Sequence, residues 1–343
     1  MRALGCIVGL LAACGGAEVG APGERADAVW AEFLSDDAIR GELPWLAAHQ
    51  LDVYLAIPEA RLGDPALAAL IRDAAAADVG VRAWLLLDEA DGYWPNEHNI
   101  PAMRETALAF ADWRDAEALP LDWIIFDLEM SLARTRAIAD VIETSGTVAA
   151  IDAIKAGRDP AAFATHTAEM TALVDELRGR GLRVAAVSYP MVLDDPADGD
   201  HDIADAFDVP VAGPAWDEVS FMVYQSLIYD LSGSWHGPDV IHSYAASARA
   251  QYGDRAAVAL GIVGTVGIEP VAMPYPDAAT LVADRGATRA AGVERVSLYS
   301  LDGMAPLAAT DRAPWMAPGA VRVPELVDAD GLRSLVSGLL DGQ

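Results

Sequence analysis

The sequence predicts a single (β/α)₈ barrel, and three observations lead there. Short β-type runs alternate with amphipathic helical stretches, which implies a parallel sheet. Eight such runs fall between residues 27 and 304, a length suited to a closed barrel of about 250 residues. No Gly-x-Gly-x-x-Gly follows the first run, which argues against an open dinucleotide-binding sheet.

The eight expected strands cover 29–34, 51–57, 81–87, 123–129, 183–188, 219–224, 258–263 and 295–301. Helices are expected at 37–49, 65–77, 100–117, 168–179, 240–252 and 277–291, where Ala, Leu, Arg and Glu recur with helical spacing. Pro65, Pro120, Gly181 and Gly292 punctuate the joins. The stretch 130–181 is long enough for two helices, and 191–217 is a long loop rich in Asp, Pro and Gly. Both follow strand C-termini, so both are expected over the mouth where substrates bind in this fold. One domain is expected over 27–343, without repeats or low-complexity tracts.

The chain begins with Arg2, an apolar run over 4–13 and then Cys14-Gly15-Gly16. That run is too short to span a bilayer and fits a signal-peptide core. Leu11-Ala12-Ala13-Cys14 resembles the lipobox of bacterial lipoproteins, in which the cysteine is lipidated. The resemblance implies a signal peptide over 1–13, a tether over 14–26, and export to the bacterial cell envelope with an anchor at Cys14. Cys6 and Cys14 are the only cysteines, so the mature fold is expected to hold no disulfide and no cysteine metal site. The formal net charge of −29 argues against nucleic acid or anionic lipid as partners, since both need basic patches. It leaves a neutral carbohydrate open. Contact with the membrane is expected only through the anchor, and the chain is expected to be a monomer.

The informative segment is Asp122-Trp-Ile-Ile-Phe-Asp127-Leu-Glu129-Met130. Side chains alternate along a strand, so Ile124, Phe126 and Leu128 share one face, and Ile125, Asp127 and Glu129 the other. The apolar face should pack against the helices, leaving Asp127 and Glu129 at the mouth, their Cα atoms about 6–7 Å apart. Desolvation and mutual repulsion then raise the pKa of one of them, as a general acid requires. Such a pair also suits metal binding or a structural ion pair. His49, His98, His166, His201, His236 and His242 all fall outside the predicted strand ends. Because barrel metallohydrolases place histidines on strands, no metal ligand is assigned and no cofactor is expected.

Asp122, Asp127 and Glu129 on the fourth strand resemble the Asp-x-x-Asp-x-Asp-x-Glu signature of family 18 glycoside hydrolases, the chitinases and endo-N-acetylglucosaminidases. Met222-Val223-Tyr224-Gln225 on the sixth strand is similar to that family's Met-x-Tyr-Asp motif. Leu298-Tyr299-Ser300-Leu301-Asp302 on the eighth is similar to a segment that carries a tryptophan floor for the sugar. The resemblance implies retaining, substrate-assisted cleavage of an N-acetylhexosamine-containing glycan, an exception to the two-carboxylate scheme. Glu129 is then the acid/base, Asp127 orients the 2-acetamido group, Tyr224 hydrogen-bonds its oxygen and Tyr299 forms the floor, with Met222 and Gln225 beside them. Ile125 stands where the family has its first inner aspartate, Gln225 replaces an aspartate and Tyr299 a tryptophan. Leu87-Asp88-Glu89 replaces a Ser-x-Gly-Gly run.

Other mouth positions carry expectations of their own. Asp88 and Trp94, with Glu89 and Tyr93, follow the third strand, an acid–aromatic grouping suited to a sugar subsite. Ser188 and Tyr189 close the fifth strand as hydrogen-bonding residues, because no histidine is placed to activate the serine. Glu32 and Glu59 end the first and second strands, and either serves as second carboxylate if the chemistry is a conventional two-acid one. A carbohydrate-binding barrel without activity is the remaining alternative.

Overall fold

The computed structural model describes residues 23–195, 200–264 and 273–325, together with 329, 331, 333, 334 and 338. The expected signal peptide and Cys14 lie outside the described residues.

Eight parallel strands close on themselves in sequence order: β1 (Asp27–Ala31), β2 (Asp52–Pro58), β3 (Val81–Leu86), β4 (Trp123–Asp127), β5 (Arg183–Ser188), β6 (Glu218–Met222), β7 (Ala256–Gly261) and β8 (Arg295–Tyr299). Pairing of β1 with β8, Val29 opposite Leu298, seals the barrel. All eight predicted strands are present. Several stop short of the prediction, because the residues that hold the mouth chemistry turn out of the sheet.

Helices α1 (Asp36–Ala48), α2 (Pro65–Ala76), α3 (Ile100–Glu117), α4 (Leu132–Ser145), α5 (Thr147–Lys155), α6 (Pro160–Gly179), α7 (Asp202–Ala206), α8 (Gln225–Ser232), α9 (Pro238–Tyr252), α10 (Ala278–Ala290), α11 (Leu301–Met304) and α12 (Ala309–Arg312) follow the strands. Their starts are written in the sequence. Ser35, Asp64, Ser131, Asp159 and Asp277 each accept a backbone N–H of the first turn, and Pro65 and Pro160 open α2 and α6 where no donor is needed. The insertion after β4 holds three helices rather than two. Gly146, at φ 85°, lets the chain turn sharply between α4 and α5, a conformation in which a side chain is strained.

Alternation along each strand sorts the apolar side chains into two layers. Ile124, Phe126 and Leu128 join Val29, Leu55, Val184 and Val219 between barrel and helices. Trp30, Tyr54, Trp84, Trp123, Ile125 and Met222 fill the barrel itself. Trp30 meets Tyr54 and Trp84 edge-on, with ring centroids 4.7 and 4.9 Å apart, and its indole N–H donates to Ser297 Oγ at 2.9 Å. The middle of the barrel is therefore a rigid aromatic plug.

Beneath the plug lies a buried charge network. Arg82 donates to Glu218 at 2.9 Å, Tyr54 Oη donates to Glu218 at 3.0 Å, and Arg295 reaches the same carboxylate at 2.5 Å. Arg82 also lies over the Trp123 ring, 4.6 Å from its centroid. Residues 23–26, expected to belong to the tether, pack here instead. Asp52 accepts the backbone N–H groups of Gly23 and Arg25 at 2.9 and 3.0 Å, and Arg25 pairs with Asp78. The buried carboxylate needs those donors, so residues 23–26 pack against the base of the barrel.

Candidate functional site

The interior positions of each strand, followed upward, end in the site. On β6 the sequence runs Glu218, Ser220, Met222, Tyr224, from the charged floor to the mouth. On β4 it runs Trp123, Ile125, Asp127, Glu129. On β1 it runs Ala28, Trp30, Glu32, and on β8 it runs Arg295, Ser297, Tyr299. The same parity brings Tyr189 inward above β5. Three carboxylates, Glu32, Asp127 and Glu129, and three tyrosines, Tyr189, Tyr224 and Tyr299, thus meet at the C-terminal end of the barrel, where the fold builds active sites.

Glu32 is held from two sides. Tyr93 Oη donates to Oε1 at 2.7 Å, and Tyr299 Oη donates to Oε2. The backbone N–H groups of Glu32 and Phe33 donate to the buried Asp302 at 3.0 and 2.7 Å, which fixes the chain just past β1. Tyr93 occupies the left-handed region at φ 66°. Such strain in a non-glycine residue concentrates at functional sites. Glu129 sits one step above Asp127. Its N–H donates to the Pro95 carbonyl at 3.3 Å, and the Tyr189 hydroxyl bonds its carboxylate.

Burial dominates the electrostatics. It pushes Asp127 well above the usual carboxylate range, with Glu129 and Glu32 adding to the rise. Burial likewise pushes Glu129 up to about 8; the Tyr189 hydrogen bond opposes this and Glu32 reinforces it. Glu32 is raised to about 7 by burial, against the two tyrosine hydrogen bonds. The Tyr224 hydroxyl is pushed up by burial and then by Asp127, Glu129 and Glu32 in turn. The rings of Tyr224 and Tyr299 lie 5.9 Å apart, inclined at 32°. Burial thus favours protonated carboxyls at both Asp127 and Glu129, while the Tyr93 and Tyr299 hydroxyls donate to Glu32 beside them.

Asp127, Glu129, Tyr224, Tyr299 and Tyr189 are therefore brought together, with Met222 directly beneath. Trp94 packs into the barrel layer, largely buried, with its ring centroid 5.2 Å from that of Tyr93. Asp88 is solvent-exposed at the rim, opening a 3-10 turn over Glu89–Asp91. Gln225 does not join the cluster. It has the outward parity of β6, is fully buried, and donates to the Gly237 carbonyl at 3.0 Å. Glu59 has the outward parity of β2 and accepts from Thr106 on α3 at 3.2 Å. Asp302 closes the eighth-strand segment quoted from the sequence, which assigns it no role; its burial against two backbone N–H groups is a tertiary fact.

No protein-family model matches this chain, and no curated protein matches it. Among solved structures, it is similar to an exo-β-1,4-mannosidase from Opitutaceae bacterium strain TAV5, with 15% identity and a TM-score of 0.51 over 94% of this chain. It spans 61% of the length of that mannosidase chain. It is also similar to a class V chitinase from Pseudomonas fluorescens Pf-5, with 12% identity and a TM-score of 0.51, covering 86% of this chain and 99% of that one. The shared feature is the barrel. Glycoside hydrolases are among the structural neighbours of this (β/α)₈ fold.

Proposed function

We propose that this chain is a glycoside hydrolase acting on an N-acetylhexosamine-containing glycan, with Glu129 as acid/base. The observation that carries the reading is the convergence of Asp127, Glu129 and Tyr224, whose hydroxyl feels both carboxylates. In the substrate-assisted course, protonated Glu129 gives its proton to the glycosidic oxygen as the C–O bond breaks. The 2-acetamido oxygen bonds to the anomeric carbon, held by Asp127 and Tyr224. Water then attacks that carbon and loses its proton to Glu129 as the bond to the acetamido oxygen breaks and the acetamide is restored. No protein nucleophile is needed, so positioning of the neighbouring group supplies the rate. Glu129 has the raised proton affinity that this role demands.

One observation favours a second reading. Glu32 accepts hydroxyl hydrogen bonds from both Tyr93 and Tyr299, as an ionised carboxylate does, and so suits the nucleophile of a two-carboxylate retaining glycosidase.

Aryl glycosides with and without a 2-acetamido group separate the two readings when assayed with the wild type, Glu129→Gln and Glu32→Gln. Under the first reading only acetamido substrates turn over, Glu129→Gln loses about 10²–10⁴ in rate, and Glu32→Gln loses less than tenfold. Under the second, Glu32→Gln is as damaging as Glu129→Gln. Unchanged turnover in Glu129→Gln sinks both. Glycan binding without turnover by the wild type points to a binding barrel.

The lipobox-like Cys14 supports export and membrane anchorage. Cys14→Ala should release the chain from the membrane fraction. Among the described residues, no helix is long and apolar enough to cross a membrane.

A further inference from the structure

A second cluster of chemistry-bearing side chains lies in the loops above the barrel. Glu97 and His98 precede α3, His166 lies on α6, and Asp208 follows α7. One ligand atom from each of Glu97, His98 and His166 falls within 4.8 Å of the other two. The His98 ring lies between two carboxylates, its Nδ1 3.6 Å from Glu97 Oε1 and its Nε2 3.3 Å from Asp208 Oδ1.

The decisive feature is Glu97. Its side chain is fully buried, yet neither carboxylate oxygen has a hydrogen-bond partner. His166 Nδ1 is also buried without a hydrogen-bond partner, and the His98 ring is what Asp208 Oδ1 faces. A buried carboxylate left without hydrogen-bond donors is costly, so the bare oxygens of Glu97 call for a partner that supplies positive charge. Around it, Asp208, Asp205 and Asp159 add negative charge, while Arg134, which pairs with Asp208, opposes them. The cluster lacks positive charge at its centre.

We propose that Glu97, His98 and His166 form a binding site for one divalent zinc-type cation. Two imidazoles and one carboxylate are a donor set suited to zinc, with a fourth position open to water or to Asp208. The absence of strand-end histidines, which argued against metal at the mouth, does not bear on these loop and helix positions. Entry is direct, because the His98 side chain is 55% exposed.

The cation's place in the fold gives it a role. It joins the loop after β3, the helical insertion after β4 and the segment after β5. The Glu97 N–H already donates to the Asp208 carbonyl at 2.9 Å, and two residues upstream the Pro95 carbonyl accepts the Glu129 N–H at 3.3 Å. The metal is a structural clip that holds the loops carrying Tyr93 and Tyr189 over the carboxylates. It takes no part in bond breaking.

The test is zinc titration of the metal-stripped full chain by calorimetry, with thermal unfolding followed in parallel. The expected result is one Zn²⁺ per chain and a rise in Tm with added Zn²⁺. Affinity should fall at least tenfold in Glu97→Gln and at least a hundredfold in His98→Ala/His166→Ala. X-ray absorption of the wild-type zinc complex keeps the proposal testable if the variants fold poorly. Two imidazole shells at about 2.0–2.1 Å support it, and a spectrum without imidazole scattering overturns it. Equal affinity in the wild type and the double variant, or no binding at millimolar zinc, overturns it as well.

Discussion

The hydroxyl of Tyr299 donates to the carboxylate of Glu32, tying the last strand to the first across the seam where the barrel closes. The same carboxylate accepts from Tyr93, so two phenols stabilise its ionised form while burial favours the protonated one. Tyr299→Phe removes one of those donors. The Glu32 carboxyl should then titrate above its present value of about 7, as read by carbon NMR of labelled glutamate. The loss of stability should be roughly 1–3 kcal/mol at pH 8 and smaller at pH 5, where Glu32 is already protonated. An unmoved Glu32 titration in Tyr299→Phe would show that the contact does not govern this group.

Activity should fall at alkaline pH. A general acid must carry its proton in the enzyme–substrate complex, and burial holds the Glu129 proton up to about pH 8. Turnover should therefore decline as pH rises through about 8. Removing the opposing hydrogen bond with Tyr189→Phe should move that limb further upward. A limb unaffected by Tyr189→Phe would assign the proton to another group.

Stability should fall over the same window, for a reason independent of catalysis. Folded Glu129 and Glu32 bind protons more tightly than the ordinary glutamate value of 4.5. Between those values the folded state holds more protons than the unfolded one, so the slope of stability against pH is negative. Their contribution is complete below about pH 4.5 and is lost through about 7 for Glu32 and about 8 for Glu129. Glu129→Gln, which cannot ionise, should flatten the decline in Tm between pH 5 and 8. Parallel Tm profiles for the wild type and Glu129→Gln would refute this.

The barrel was legible because its signal is local: eight β-type runs, and alternation within the fourth that put Asp127 and Glu129 inside. Parity explains most of what was missed. Trp30 lies two residues before Glu32, and both point inward, whereas Glu59 follows the outward Ile57. Applied to β1 and β2, the rule used on β4 separates these two glutamates. Applied to β6, it sends Tyr224 inward and Gln225 outward. Asp302, the tyrosine contacts of Glu32 and the packing of Trp94 depend on loops meeting across the mouth, and no period in the sequence records that.

The charged floor makes the last prediction, because it tests whether the mouth depends on the base of the barrel. Burial pushes Glu218 up, yet Arg82 and Arg295 hold it below the usual carboxylate range. Arg82 is fully buried, so Arg82→Leu leaves Glu218 with the partly exposed Arg295 and Tyr54. Breaking a buried pair on one side costs about 3–5 kcal/mol, while replacing both partners by apolar residues is often close to neutral. Denaturant unfolding should accordingly show a large loss for Arg82→Leu and a clear recovery in Arg82→Leu/Glu218→Leu. Each strand that carries a mouth residue passes through this floor two or three inward positions below it, so turnover should follow stability across the series. Wild-type stability in Arg82→Leu would mean that the network contributes nothing to holding the barrel.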